Sequence, residues 1–301
     1  MIRNGSKAQV VDASIRSWAF WDDLKIYHLT RPCRNACDPE FQQWVDRIGD
    51  GAGPHIDLSM LKQVTDMQDI LDFTFPIHIL ADPLQCLRRS ILAPTNRQVD
   101  MYNTNILKLI HGEQRTYMAA DCLKEVNAAG MVSPNSALDY VSKQTPPGLP
   151  PHTLTVKVNG VYRLIRNFSV DRGLVKNVRL IVTDIGDRLI TVRLIHRRGD
   201  TLYTEDEDIL IPRISFTYVL PSGHTLLRRQ FPLALGYATT FNSCQGLNLD
   251  RVAIDLTHPV FSHGQLYTAF SRVPDRTCAV VHLRPGKNTT INVTYNELLL
   301  P

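Results

Sequence analysis

The sequence predicts an α/β protein with a small β-rich domain between two stretches of mixed helices and strands. Short apolar runs at 91–94 and 251–256 predict buried strands, and amphipathic patterns around them predict helices. From 153 to about 230 the pattern changes to short alternating strands with Asn and Gly turns, typical of a small β-barrel or sandwich. We therefore expect a β-rich domain at 151–230, with mixed helices and strands in 1–150 and 231–301.

Composition narrows the class of protein without identifying it. The chain has 301 residues, 44% of them hydrophobic, and a net charge of +4, which suits a globular protein of one large or two ordinary domains. The mild basicity allows a polyanionic partner but is equally typical of an ordinary soluble protein. The six cysteines form no C-x-x-C pair, so we expect no metal site. No apolar run of about 18 residues or signal core is present, so we expect no membrane span and no secretion.

The N-terminal region predicts a loop and a helix, then a strand at 25–29 and a polar turn that contains Arg34. Large apolar side chains of this region are candidate core residues: Ile15, Trp18, Phe20, Trp21 and Leu24. A solvated loop position is the alternative interpretation of Arg34.

The clearest local helix signal lies at 38–51. Asp38 is a natural N-cap, and Pro39 suits the first helical position. Apolar residues follow at the spacing of one helix face and predict core packing: Phe41, Trp44, Val45 and Ile48.

The strand at 91–94 is followed by a polar turn and a helix. Thr95 or Asn96 can cap this helix, and the turn offers backbone N–H groups to a phosphate. An ordinary helix cap and a phosphate contact are both open at this point. Residues 116–123 predict another strand, and the proline-rich stretch up to 151 marks a boundary.

Two polar signatures stand in apolar surroundings near the C-terminal end. The first is ATTFNSCQG at 238–246, which predicts a loop or helix start before the strand at 251–256. The second is HGQLYTAFSRV at 263–273, which predicts a helix that presents Gln265 and Arg272 to something outside it.

These signatures resemble motifs V and VI of the PIF-type and Helitron-type DNA helicases of superfamily one. The chain has Ser243 where that family usually has Lys and Cys244 where it usually has Ser. The family turn G-L-x-N-G-T-R is similar to 173–179, with Asn177 in place of a glycine. The resemblance implies a RecA-like parallel-sheet domain with an inserted SH3-like β-barrel domain.

The resemblance also implies roles for individual residues. Two arginines are expected to contact the transferred phosphate as fingers, first Arg272 and second Arg34. Polar partners near the nucleotide are expected at Gln245, Gly246 and Gln265. The expected DNA-backbone contacts are Thr95, Asn96, Thr240 and Asn242. Nine basic residues of the insertion are expected to track single-stranded DNA, although a solvated basic face is the alternative: Arg163, Arg166, Arg172, Lys176, Arg179, Arg188, Arg193, Arg197 and Arg198.

The sequence contains no G-x-x-x-x-G-K-[ST] phosphate loop and no strand that ends in an acidic pair for magnesium. The resemblance therefore implies the C-terminal part of an ATP-dependent DNA helicase. ATP and Mg²⁺ would be bound mainly by an N-terminal RecA-like domain with Walker A and B, and this chain would begin just after it. We expect a nuclear, intracellular protein that acts on single-stranded DNA. Two alternatives stay open: a non-catalytic single-stranded nucleic-acid-binding module, and a decayed transposon-derived fragment.

Overall fold

The computed structural model describes residues 5–27, 37–124, 142, 145–198 and 201–299. Its α-helices are α1 (Lys7–Asp12), α2 (Pro39–Gly49), α3 (Met67–Thr74), α4 (Ile77–Leu80), α5 (Pro83–Cys86), α6 (Asn96–Leu109) and α7 (Gln265–Phe270). Its strands are β1 (His55–Asp57), β2 (Lys62–Val64), β3 (Arg89–Ala93), β4 (Gln114–Met118), β5 (Ala120–Lys124), β6 (Thr153–Lys157), β7 (Val161–Leu164), β8 (Arg179–Ile185), β9 (Leu189–Arg198), β10 (Thr201–Thr204), β11 (Ile209–Pro212), β12 (Ile214–Val219), β13 (Thr225–Gln230), β14 (Leu233–Leu235), β15 (Ala238–Thr240), β16 (Arg251–Asp255), β17 (Ala279–His282) and β18 (Thr289–Ile291).

The chain divides into two compact units. The first comprises Met1–Thr74, Arg88–Val99 and Thr239–Pro301, and the second comprises Phe75–Leu87 and Asp100–Ala238. The domain limits predicted from the sequence stay a prediction.

A five-stranded sheet in the order β15-β3-β16-β17-β2 organises the first unit. Strand β16 runs parallel to both β3 and β17, and β17 runs parallel to β2. The three central strands β3, β16 and β17 contain buried apolar runs because a parallel sheet is covered on both faces. The expected α/β fold with a parallel sheet is confirmed.

Helix α2 forms as its local signals predict and packs on α7. The Asp38 side chain accepts a hydrogen bond from the Phe41 N–H, and Pro39 occupies the first turn. The predicted apolar face is buried, and the Trp44 ring meets the Phe270 ring edge-on at 4.8 Å between centroids.

The second unit is built mainly from antiparallel strands. Strands β10-β9-β8-β7-β14 form one sheet with β11 also paired to β9, while β12-β13-β5 and β4-β6 pair separately. Side chains from β4, β6 and the larger sheet share one apolar cluster that contains Tyr117, Val156 and Val182. Within the described ranges these strands leave open sheets, and no closed barrel is present.

Two local predictions are wrong. Four of the five residues expected in an N-terminal core are exposed, with Trp18 at 53% and Phe20 at 57% of their surface accessible, and the fifth, Trp21, is half-buried. Helix α1 ends at Asp12, and Trp18 and Phe20 lie between two short 3₁₀ turns, so no helix face aligns them. The single strand predicted at 116–123 is two strands, because β4 pairs with β6 whereas β5 pairs with β13.

Candidate functional site

A buried polar network lies where two parallel strands of the first unit end. The Gln98 amide Nε2 donates to Asp255 Oδ2 at 2.7 Å, and the Asp255 side chain is only 1% exposed. Both the N–H and the hydroxyl of Thr257 donate to Asp255 Oδ1, at 2.9 and 2.6 Å. Carboxyl ends of parallel strands are the usual place of ligand sites in α/β sheets. None of these three residues was expected at a site from the sequence, although the polar pair Asp255 and Thr257 at the end of an apolar run was a usable signal.

Thr95 connects this network to the start of α6. Its hydroxyl donates to Gln98 Oε1 at 2.7 Å and accepts from the Gln98 N–H at 3.4 Å. This reciprocal arrangement confirms the predicted helix cap. Asn96, the first residue of α6, is exposed. Contact of either residue with DNA stays a prediction.

The signature at 238–246 forms strand β15, a 3₁₀ turn at Phe241–Cys244 and an exposed exit. The Thr240 hydroxyl donates to Ser243 Oγ at 3.0 Å, so Ser243 orders the turn from the position where the resembled family has Lys. Asn242, Gln245 and Gly246 are solvent-exposed, and Gly246 has φ +85°, which favours glycine.

Cys244 points into the core instead of the solvent. It is fully buried, and its thiol lies 3.0 Å from the Phe241 carbonyl oxygen. Burial raises the pKa of the Cys244 thiol to about 12, although the Arg272 charge acts in the opposite direction. The thiol therefore stays neutral and serves as an apolar packing group.

Gln265, at the first position of α7, holds a loop in place. Its side chain is 2% exposed, and its Oε1 accepts from the backbone N–H groups of Phe261 and Ser262 at 3.0 and 3.2 Å. Its Nε2 lies 3.5 Å from Asn242 Oδ1, so the two signatures meet at this point.

Arg272 follows α7 and is 9% exposed. Its Nε donates to the Thr268 carbonyl oxygen at 2.8 Å, and its Nη2 donates to Ser271 Oγ at 2.6 Å. The guanidinium is therefore held by the end of its own helix, where the carbonyl dipoles favour a positive charge.

The structure thus brings some predicted site residues together and separates others. Gln265 and Asn242 are in contact, and the Cys244 thiol and the Arg272 Nε both approach the Thr268 carbonyl oxygen. Gln245 and Gly246 lie at the exposed exit of the same turn. Arg34 lies outside the described residues.

Basic side chains of the second unit are partly neutralised. Arg172 pairs with Glu207, and Arg193 pairs with Asp206 and Asp208 at 3.0 and 2.8 Å. Among the nine basic residues expected to track DNA, those that are exposed and have no ion pair in the described chain are Arg166, Lys176, Arg188 and Arg198. The acidic run at 205–208 therefore reduces the basic surface expected from the sequence.

The described residues hold neither a metal-ligand cluster nor a membrane-spanning helix. They contain no group of three or more His, Cys, Asp or Glu side chains that could hold a metal ion. None of their helices is both long enough and apolar enough to cross a membrane.

Comparison with known proteins gives similarities that point to one group. The chain is 30% identical over 177 residues to the ATP-dependent DNA helicase PIF1 of Danio rerio, covering 58% of this chain and 24% of that protein. It is 33% identical over 122 residues to the human ATP-dependent DNA helicase PIF1, covering 40% of this chain and 18% of that protein. No family model matches the sequence. The chain thus spans about a quarter or less of the length of these relatives.

Solved structures agree in fold. The Pif1 helicase from Candida albicans superposes with a TM-score of 0.58 at 21% identity, covering 91% of this chain and 60% of that one. A Pif1 helicase from Bacteroides in complex with ADP-AlF3 and ssDNA gives a TM-score of 0.53 at 20% identity, covering 92% and 54%.

Proposed function

We propose, from the premise that this chain is a relative of the C-terminal part of the PIF1-type DNA helicases, that it supplies the second RecA-like half of such an enzyme. The complete protein would couple ATP hydrolysis to movement along single-stranded DNA and to unwinding of the duplex. The observation that carries the proposal is the junction of the two signatures, where Gln265 at the start of α7 meets Asn242 of the turn at 241–244.

In this proposal Arg272 is the arginine finger, and Arg34 is a second one. A finger of this kind is worth roughly 10³–10⁵ in rate in related phosphoryl-transfer enzymes. The guanidinium of Arg272 is already desolvated, and Thr268 and Ser271 hold it at the end of α7. A phosphate would have to displace the hydrogen bond from Arg272 Nη2 to Ser271 Oγ. The bond to phosphate is the stronger of the two because both of its groups are charged.

The exposed amides of Asn242 and Gln245, with Gly246, would form the rim of the nucleotide and DNA contacts around this arginine. Gln265 would act there by holding Asn242 and the loop at 261–262. Thr95, Asn96 and Thr240 complete the proposed contacts to the DNA backbone.

ATP and Mg²⁺ would be bound mainly by an N-terminal RecA-like domain that carries Walker A and B. The residues present here fit an edge of such a site, with a guanidinium and several amides, but include no ligand set for the metal in the described ranges. ATP hydrolysis would take place on nucleotide and Mg²⁺ held mainly by that N-terminal domain. The half described here would stabilise the developing negative charge and couple hydrolysis to movement along DNA. A nuclear location belongs to the same proposal.

We propose further that the inserted domain is SH3-like and that its exposed basic residues follow the DNA backbone. Arg166, Lys176 and Arg188 are exposed, and Phe168, 37% exposed, stands between the first two in sequence. An aromatic side chain among cations is typical of surfaces that bind single strands, because bases stack while the cations neutralise phosphates.

The test uses the longest native polypeptide that contains this chain, identified by sequencing its transcript across the codon of Met1. Single-strand-stimulated ATP hydrolysis is measured for Arg272→Ala and for a matched control, Arg284→Ala, whose side chain is exposed. We expect Arg272→Ala to lower kcat by roughly 10³ or more and the control to change it less than about two-fold. Equal kcat values for the two variants would overturn the role of Arg272.

A non-catalytic single-strand-binding module is the second candidate, and the exposed basic side chains of Arg166, Lys176 and Arg188 in the second unit favour it. Salt-dependent single-strand binding by this chain, with no ATP hydrolysis by the native polypeptide, would select that function. Failure to bind single strands at all, in a stably folded chain, would favour the decayed fragment.

A further inference from the structure

Two arginines stand directly opposite each other on neighbouring strands of the second unit. Arg163 of β7 is the register partner of Arg179 of β8 in an antiparallel pair. Both side chains are half-buried, so they are closely surrounded and still reached by solvent. Opposed side chains in such a pair have Cβ atoms only about 5 Å apart, and like charges there are destabilising. The pair therefore calls for a compensating group.

The hydrogen-bond partners of the pair do not provide that compensation. Arg179 Nη1 donates to the Leu87 carbonyl oxygen at 2.6 Å, and Arg163 Nη1 donates to Asn177 Oδ1 at 3.2 Å. Both acceptors are neutral, and the carboxylate of Asp100 acts on Arg163 only through space. Burial, followed by the nearby Arg163 charge, lowers the pKa of Arg179 to about 10, so Arg179 remains charged at neutral pH. Arg163 is charged as well, because a guanidinium does not lose its proton in proteins. Two positive charges thus face at most one negative charge.

One strong donor of the pair is also unused. Within the described part of the chain, the buried Nε of Arg163 has no hydrogen-bond partner. Asn177 holds Arg163 from a turn in which its own φ is +70°, a conformation that Asn adopts more readily than most residues. A guanidinium with free N–H groups next to a second guanidinium matches the geometry of a phosphate, which accepts bonds from several directions.

We propose that Arg163 and Arg179 together bind one phosphate group on the second unit. The group is either a phosphodiester of single-stranded nucleic acid or a free phosphate such as that of a nucleotide. The phosphodiester source rests on the single-strand binding proposed above; phosphate binding itself does not.

The first experiment measures thermal unfolding of the whole chain in phosphate and in chloride at equal ionic strength. The variants are Arg163→Gln and a control, Arg229→Gln, which removes the same charge from an exposed position of the same unit. We expect phosphate to raise the Tm of wild type and control by the same amount and to leave Arg163→Gln unchanged. In chloride, Arg163→Gln should melt no lower than wild type, because it relieves the repulsion. If Arg163→Gln fails to fold, Arg163→Lys replaces it, because Lys keeps the charge but lacks the planar guanidinium that donates two parallel hydrogen bonds. Phosphate must then raise the Tm of Arg163→Lys less than that of wild type.

The second experiment measures binding of a fluorescent oligothymidylate at several salt concentrations. If the phosphate comes from a nucleic acid, Arg163→Gln should bind roughly ten-fold more weakly than the control. Its plot of log K against log salt should be shallower by about 0.7, the value for one phosphate of a single strand.

The outcomes separate the two proposals. A phosphate shift lost in Arg163→Gln, with single-strand binding equal to the control, assigns the site to a free phosphate. If phosphate raises the Tm of wild type but not of Arg163→Gln, and wild type binds no single-stranded nucleic acid, the phosphate site is supported and the single-strand binding proposed above is refuted. A phosphate shift in Arg163→Gln equal to that of Arg229→Gln, or no shift in wild type, overturns the site.

Discussion

Gln265 offers the sharpest test of how the candidate site is held together. Substitution Gln265→Ala removes the oxygen that accepts from the N–H groups of Phe261 and Ser262 at 3.0 and 3.2 Å. A buried hydrogen bond contributes about 1 kcal/mol net, so the two losses should lower the free energy of unfolding by about 2 kcal/mol. The contact to Asn242 at 3.5 Å is at the limit of a hydrogen bond and adds nothing to this figure.

The assay combines urea denaturation with hydrogen exchange read at the backbone amides of 261–262. The matched control is Gln245→Ala, because Gln245 is the same residue type in an exposed position. We expect the control to stay within about 0.5 kcal/mol of wild type, as surface substitutions usually do. Faster exchange at 261–262 should appear in Gln265→Ala alone.

The reasoning would be refuted if Gln265→Ala and Gln245→Ala unfolded at the same urea concentration with equal protection of 261–262. Gln265 would then not be a support of the loop at all. Its side chain would be available for a ligand, as the sequence first suggested.

Three further predictions concern single residues of the first unit. Asp38→Asn keeps the N-cap but loses the charge, so its urea midpoint should fall below that of wild type at pH 7. Hydrogen bonds from Arg276 hold the pKa of Asp38 well below its usual range. The Asp38 charge therefore stabilises the fold fully above the unfolded pKa of about 4, and this stabilisation is lost at lower pH. A difference in urea midpoint between wild type and Asp38→Asn that widened on acidification would contradict this. Gly246→Ala should cost about 1 kcal/mol in thermal unfolding, since φ is +85° and no atom lies within 4 Å of the added Cβ; no loss would argue against this backbone conformation. Iodoacetamide at pH 8 should modify exposed Cys37 much faster than buried Cys244, and mass spectrometry measures the modification of each. Equal rates of modification at the two cysteines would contradict the burial of Cys244.

Features that depend on neighbours in the chain could be predicted from the sequence. Helix α2 begins at Asp38 and Pro39 as expected, and α7 and β16 lie where the periodicity of the sequence indicates. The cap by Thr95 was also predictable. Each of these signals lies within a few residues, so no distant contact is needed to read it.

Features that depend on distant contacts could not be predicted. Gln98 and Asp255 are 157 residues apart in sequence, and only the pairing of β3 with β16 brings their strand ends together. The aromatic residues around Trp18 have the composition of a core, yet the short helix α1 gives them no common face to bury. In the second unit the charges of Arg172 and Arg193 were visible in the sequence, but their pairing with the acidic run was not.

The sequence by itself therefore determined the α/β class, the main helix and strand positions near the two signatures, and the resemblance to a helicase family. Only the tertiary structure decided that Gln265 and Arg272 are buried and bonded within the protein, with 2% and 9% of their surfaces exposed. The physical reason is that local sequence sets the backbone conformation, whereas burial and hydrogen-bond partners are set by elements that arrive from elsewhere in the chain.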